Sequence, residues 1–125
     1  MSVFDKLMSF QRDTQALGQV AGRLGWDQET MMPRGAASQR GEEMAAIESV
    51  LHARRMDPRV GDWLETAEAP DAAGAAQLRE IRRSFDRAQK VPAGLAKKLA
   101  QLTSEAQGKW AAARADEDVA AFAPV

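Results

Sequence analysis

Trp26, Asp27 and Glu29 stand together in the segment Gly25-Trp26-Asp27-Gln28-Glu29-Thr30-Met31-Met32-Pro33-Arg34-Gly35. An indole beside two carboxylates could line a ligand groove or dock a second domain. The plainer assignment is a packed Trp whose acidic neighbours cap a turn or pair with arginines. His52 follows Glu48 by about one helical turn, so the two share a face. Imidazole and carboxylate make half of a metal site, but no third or fourth ligand accompanies them. An exposed or partly packed helix residue near a C-terminus, where the helix dipole favours the protonated ring, accounts for His52 more simply. Arg79, Arg82, Arg83 and Arg87 could bind phosphate or carboxylate. They alternate with Glu80 and Asp86, however, as a solvated, ion-paired face does. Arg40, Glu43, Arg54 and Arg55 are most simply surface residues of one helix. Met31 and Met32 offer either a flexible apolar contact or ordinary gap-filling.

Composition narrows the chemistry further. The 125 residues contain one His and no Cys. A catalytic zinc site commonly takes three protein ligands, often two His and a carboxylate, and a second His is absent. A cysteine nucleophile is excluded, and a Ser-His-Asp set would have to use His52. Seventeen basic and 18 acidic residues leave a net charge of −1, which argues against a general nucleic-acid binder. No apolar run reaches the roughly 18 residues that suggest a membrane span. The N-terminal Met1-Ser2-Val3-Phe4-Asp5-Lys6 carries charge where a secretory signal would be apolar. A cytoplasmic protein without nucleic-acid or membrane partners is expected, and the lack of Cys fits a reducing compartment.

The elements that must position these residues are helices. Ala, Leu, Glu, Gln, Arg and Met are abundant, and no segment sustains a period of two. The spacing of Val3, Leu7, Phe10, Leu17, Ala21 and Leu24 predicts a first helix over Val3–Leu24, capped by Ser2, with Thr14 interrupting the apolar stripe. Gly25 is placed to end it, and Gly25–Gly35 is expected to be a structured loop. A second helix, Ala36–Met56, should bury Met44, Ile47, Leu51 and Val50. Asp57-Pro58 has the form of an N-cap followed by a first-turn proline. It opens a short third helix to Ala67 that buries Val60, Trp63, Leu64 and Ala67. Glu68–Asp71 is a linker. A fourth helix, Ala72–Lys90, places Leu78, Ile81, Phe85 and Ala88 inward and ends before Pro92. The fifth, to Arg114, carries a stripe of Leu95, Leu99, Leu102, Ala106, Trp110 and Ala113. Trp63 and Trp110 are therefore core or interface residues. Asp116–Val125 adds a short helical turn with Val119 and Phe122 inward. The expected fold is all-α, with about five main helices as antiparallel, bundle-like neighbours in a single domain spanning 1–125. The apolar ending Ala121-Phe122-Ala123-Pro124-Val125 suggests a chain that continues.

Gly25-Trp26-Asp27-Gln28-Glu29-Thr30-Met31-Met32-Pro33 resembles the signature near the start of the carboxypeptidase Taq family of metallocarboxypeptidases. Arg40-Gly41-Glu42-Glu43-Met44 with Leu51-His52, Leu78-Arg79-Glu80-Ile81-Arg82-Arg83 with Lys90-Val91-Pro92, and Trp110-Ala111-Ala112-Ala113-Arg114 with Phe122-Ala123-Pro124 are similar to later segments of that family, in the same order. The resemblance covers nearly the whole chain. It implies the N-terminal, non-catalytic helical part of a longer enzyme that removes C-terminal residues from peptides. In that family a His-Glu-x-x-His helix and a further Glu hold the metal, and the Glu within the motif activates the metal-bound water. No segment here matches them, so no catalytic and no metal-binding residue is assigned. A divalent metal, zinc by family type, would belong to the full-length parent. The resemblance further implies that Trp26, Asp27 and Glu29 line the substrate groove or dock on the catalytic remainder of the polypeptide. A homodimer of the full protein is compatible with it. The alternative is a stand-alone helical interaction module that binds a partner helix.

Overall fold

Ser2 starts the first helix with a capping box. Its hydroxyl accepts the Asp5 N–H at 3.0 Å, and its own N–H donates to Asp5 Oδ2 at 3.0 Å. The Ser2 hydroxyl also donates to Asp5 Oδ2 at 2.8 Å, and this bond, with that from the Ser2 N–H, holds the Asp5 carboxyl below its usual range. In the computed structural model, which describes residues 1–125, α1 runs Val3–Thr30, and a 3₁₀ turn Arg34–Ala36 leads into α2, Ala37–Arg55. Then follow α3 (Pro58–Thr66), α4 (Ala72–Ala88), α5 (Ala93–Ala115) and α6 (Val119–Phe122). No strand occurs. Five main helices and a final turn make the all-α class plain. No helix is long and apolar enough to cross a membrane.

Three pairs of helices run antiparallel, as their contacts show. Asp27 and Leu24 on α1 meet Arg40 on α2, whereas Phe10 and Thr14 meet Arg54. Leu64 and Glu65 on α3 meet Arg82 on α4, and Gly61 faces Phe85. Ala37 on α2 lies against Gly108 on α5, and Gly41 against Glu105 and Gln101. This last pair packs very closely. A Cβ on Gly108 would sit 2.9 Å from the Cβ of Ala37. Gly41, Ala45, Ala96 and Ser104 are all buried between or beside these helices. Small residues let the two backbones approach.

The apolar core is at the other end. Leu7, Val60 and Leu64 are buried, and Met8, Phe10, Trp63, Leu78, Ile81 and Phe85 pack around them. Phe10 and Trp63 meet edge to face with ring centroids 5.6 Å apart. The expected inward faces of α3 and α4 are therefore observed. Asp57 caps α3 by accepting the Arg59 N–H at 2.9 Å. The Arg59 side chain also bonds that carboxyl and holds it below its usual range.

Three expectations need correction. First, α1 does not stop at Leu24. It continues through Trp26 to Thr30, and its cap residue Met31 donates to the Asp27 carbonyl. No glycine in the chain has positive φ, so Gly25 weakens the helix without ending it. Met32, restricted by Pro33, marks the stop. Second, α5 turns its small, polar face inward. Leu95, Leu99, Leu102 and Trp110 are 45–50% exposed. The close α2–α5 approach selects Ala and Ser for the inner side and leaves no room for leucines. Third, Val50 and Val119 are exposed. Val50 lies on the solvent side of α2, and Val119 sits on a four-residue turn.

Candidate functional site

The last turns of α1 form the most heavily braced part of the molecule. Arg40, with its side chain 11% exposed, reaches across from α2. Its Nη2 donates to Asp27 Oδ2 at 2.6 Å, its Nη1 to the Leu24 carbonyl, and its Nε to Glu43 Oε2 at 2.8 Å. The hydrogen bond to Asp27 outweighs desolvation and raises the guanidinium above its ordinary range, with Glu43 adding to it. On the opposite side, Gln28 Nε2 donates to the Ser104 carbonyl at 2.7 Å. Ser104 Oγ donates back to Gln28 Oε1 at 2.9 Å. The end of α1 is thus tied to α2 and to α5 by two separate sets of polar contacts.

What this bracing presents is Trp26, 64% exposed, and Met31, 73% exposed. The packed-indole assignment for Trp26 is therefore overturned. The ring stands in solvent while its neighbours hold the helix beneath it. Asp27 pairs with Arg40, as the arginine-pairing alternative anticipated. Glu29 is exposed and borders an open cleft of about 710 Å³ between α1, α2, α4 and α5. Trp26, Asp27 and Glu29 share one helix end but point to three environments: solvent, Arg40 and the cleft.

The same cleft contains Glu48, His52, Arg55, Arg87 and Leu99. His52 is only 4% exposed, and its Nε2 has no hydrogen-bond partner. The expectation of an exposed or partly packed imidazole is thus corrected: α4 and α5 come close enough to α2 to cover it. Glu48 pairs with Arg55 at 2.9 Å, and no bond joins it to His52. No group of three or more His, Cys, Asp or Glu side chains is placed to hold a metal ion. One imidazole beside a carboxylate engaged by arginine does not fit a catalytic divalent cation.

The arginines of α4 do not converge. Arg82 joins Glu65 at 2.7 Å and the Leu64 carbonyl at 2.7 Å. Arg83 pairs loosely with Glu80 at 3.7 Å, and Arg87 faces the cleft. Only Arg82 and Arg83 are ion-paired; Arg79, Arg87 and Asp86 form no ion pair, so the expected ion-paired face is realised in part. Arg40 and Arg54 do not behave as surface residues. Arg54 donates to Thr14 Oγ1 and to the Phe10 carbonyl, both at 2.9 Å, and lies 4.0 Å over the Phe10 ring. Thr14, the break in the α1 stripe, is buried because this guanidinium gives its hydroxyl a partner. The break was a visible signal that something polar faces α1 there. Gln28 and Ser104 carried no such signal.

The surface left over is large. A compact monomer of 13.6 kDa exposes about 6,600 Å², whereas this chain exposes 8347 Å². Leu95, Leu99, Leu102 and Trp110 on α5, with Trp26 and Met31 on α1, contribute the large apolar groups.

The family model described as Carboxypeptidase Taq (M32) metallopeptidase matches residues 6–125. The chain is 38% identical over 129 aligned positions to Thermostable carboxypeptidase 1 of Thermus thermophilus, an alignment covering 98% of this chain. It spans 25% of the length of that relative.

Proposed function

The chain belongs to the carboxypeptidase Taq (M32) family of metallopeptidases, and from that membership we propose that it serves as the non-catalytic helical part of a metal-dependent carboxypeptidase. Such an enzyme removes residues from the C-termini of peptides. In this reading the 125 residues cover part of the substrate groove and dock on a catalytic remainder of the same polypeptide. The divalent metal, zinc by family type, is held by that remainder. No step of the reaction is assigned to a residue here. The enzyme is cytoplasmic in this reading, consistent with the absence of Cys.

The observation that carries the proposal is the uncovered surface. Its excess over a compact monomer is roughly 1,800 Å², within the ~1,000–2,500 Å² that one partner gives to a large obligate interface. The braced end of α1 suits the same task. A rigid, exposed Trp26 is the kind of anchor that fills a pocket on a partner. Glu29, on the rim of the cleft, is placed to face substrate or the docked portion.

The test is the native protein, captured from its source cells with an antibody to this chain. Its intact mass is expected to be about four times 13.6 kDa, as the length of the Thermus relative implies. The captured material is expected to release C-terminal residues from peptides in a chelator-sensitive way. The isolated 125 residues are expected to release none. A native mass of 13.6 kDa without peptidase activity would favour a stand-alone interaction module. Chelator-sensitive turnover by the isolated chain would overturn the non-catalytic assignment.

A further inference from the structure

The outer face of α5 has two properties that together specify what covers it. Leu95, Leu99 and Leu102 follow steps of four and three, and Trp110 continues the line two turns on. All four are about half exposed, with Leu99 at the edge where this face meets the cleft, on a helix whose opposite side is packed against α2. The second property is charge. Lys98 and Lys109 on one flank of the leucine line and Arg114 on the other are exposed, and none takes part in an ion pair; Lys97 lies on the opposite side of the helix. Glu105, the one acid between Ala93 and Ala115, is turned toward Gly41 on α2 and accepts from Gln101. Every exposed charge within α5 is therefore positive, and the acids Asp116, Glu117 and Asp118 lie beyond its end. Lys98 and Lys109 lie about three turns apart on the same flank of the leucine line.

We infer that this face receives an amphipathic helix whose apolar stripe is flanked by acidic residues. The inference rests on the docking reading above and names the chemistry of the docked segment. An apolar stripe alone would accept many partners. Unpaired lysines along its edge disfavour a basic helix and draw an acidic one. They also disfavour a second copy of α5 packed antiparallel in register, because Lys98 of one copy would face Lys109 of the other.

The test uses two synthetic amphipathic peptides with the same leucine stripe, one flanked by Glu and one by Lys, each carrying a fluorescent label. Anisotropy is recorded against the 125-residue chain at low and high salt. The Glu-flanked peptide is expected to bind about tenfold tighter than its Lys-flanked isomer at low salt. The gap should narrow as the Debye length shrinks. Lys98→Glu with Lys109→Glu should reverse the preference, and Leu99→Asp should abolish binding of both peptides. These positions are exposed, so circular dichroism and the thermal midpoint should stay close to those of the parent chain. Equal binding of the two peptides, no binding of either, or binding unmoved by Leu99→Asp would each overturn the inference. So would a stable dimer of the chain that Leu99→Asp dissolves. A native mass four times that of the chain, with no charge preference at α5, would sink this inference alone and leave the docking reading standing.

Discussion

Arg40 shows how one side chain can organise a helix end. It joins two carboxylates and a backbone carbonyl, and little of it meets water. Replacing it with Leu leaves the Leu24 carbonyl without its donor and removes the counter-charge from Asp27 and Glu43. Arg40→Leu is expected to cost about 2 kcal/mol, read as a lower urea midpoint with an unchanged slope. Arg59 is the contrast. Its one ion pair is with Asp57, its guanidinium lies 5.3 and 5.8 Å from the Phe10 and Trp63 ring centroids, and its side chain is 63% exposed, so Arg59→Ala is expected to cost under about 1 kcal/mol. Equal losses in the two variants would show that Arg40 is no more than another surface pair. His52 and Arg54 make a similar point. Residue type marked both as polar, and only their neighbours decide that one is buried and that the other satisfies Thr14.

At the scale of elements, the α2–α5 contact decides which face of α5 looks outward. Helices that approach through glycine exclude larger side chains from the seam. Gly108→Ala would force a Cβ to within 2.9 Å of Ala37. It is expected to destabilise the fold by about 1 kcal/mol despite the better helix propensity of alanine. Gly22 lies in the middle of α1, where an added Cβ would meet nothing within 4 Å. Gly22→Ala should therefore stabilise by about 0.5–1 kcal/mol. Opposite signs in thermal melts of the two variants would confirm the close seam, and a gain in both would refute it. The continuation of α1 to Thr30 belongs to this scale as well. A helix crosses a glycine when side chains on either side, here Asp27 and Gln28, are held by other helices.

For the whole molecule, the thin core and the large surface have a measurable consequence. Only 12 of the 125 residues are buried, and few of those are large. Exposed leucines on α5 and the indoles of Trp26 and Trp110 leave apolar area that monomers rarely show in continuous form. The isolated chain is expected to bind a hydrophobic dye such as ANS in its native state. Leu99→Asp with Leu102→Asp is expected to suppress the dye binding. A native, monodisperse monomer that ignores the dye would mean that the α5 face is too small or too solvated to serve as an interface.

Helical periodicity, proline and acidic caps, and the composition were sufficient to specify an all-α chain and the positions of α2 to α5 to within a few residues. The ordered motifs from Gly25 to Pro33 and onward marked the family. Those features are local, because caps and amphipathic stripes act within a few turns of one helix. Three other features emerged only when the helices were assembled. The end of α1 is held by Arg40 and Ser104, which are 13 and 76 positions from their partners Asp27 and Gln28. His52 is buried by helices far along the chain. The leucines of α5 face outward because glycine and alanine at the α2 seam allow a closer approach than leucine does. A stripe in a sequence records that a helix has an apolar side. Whether that side meets the core or waits for a partner depends on which opposing surface packs closest, and that is a property of the tertiary structure.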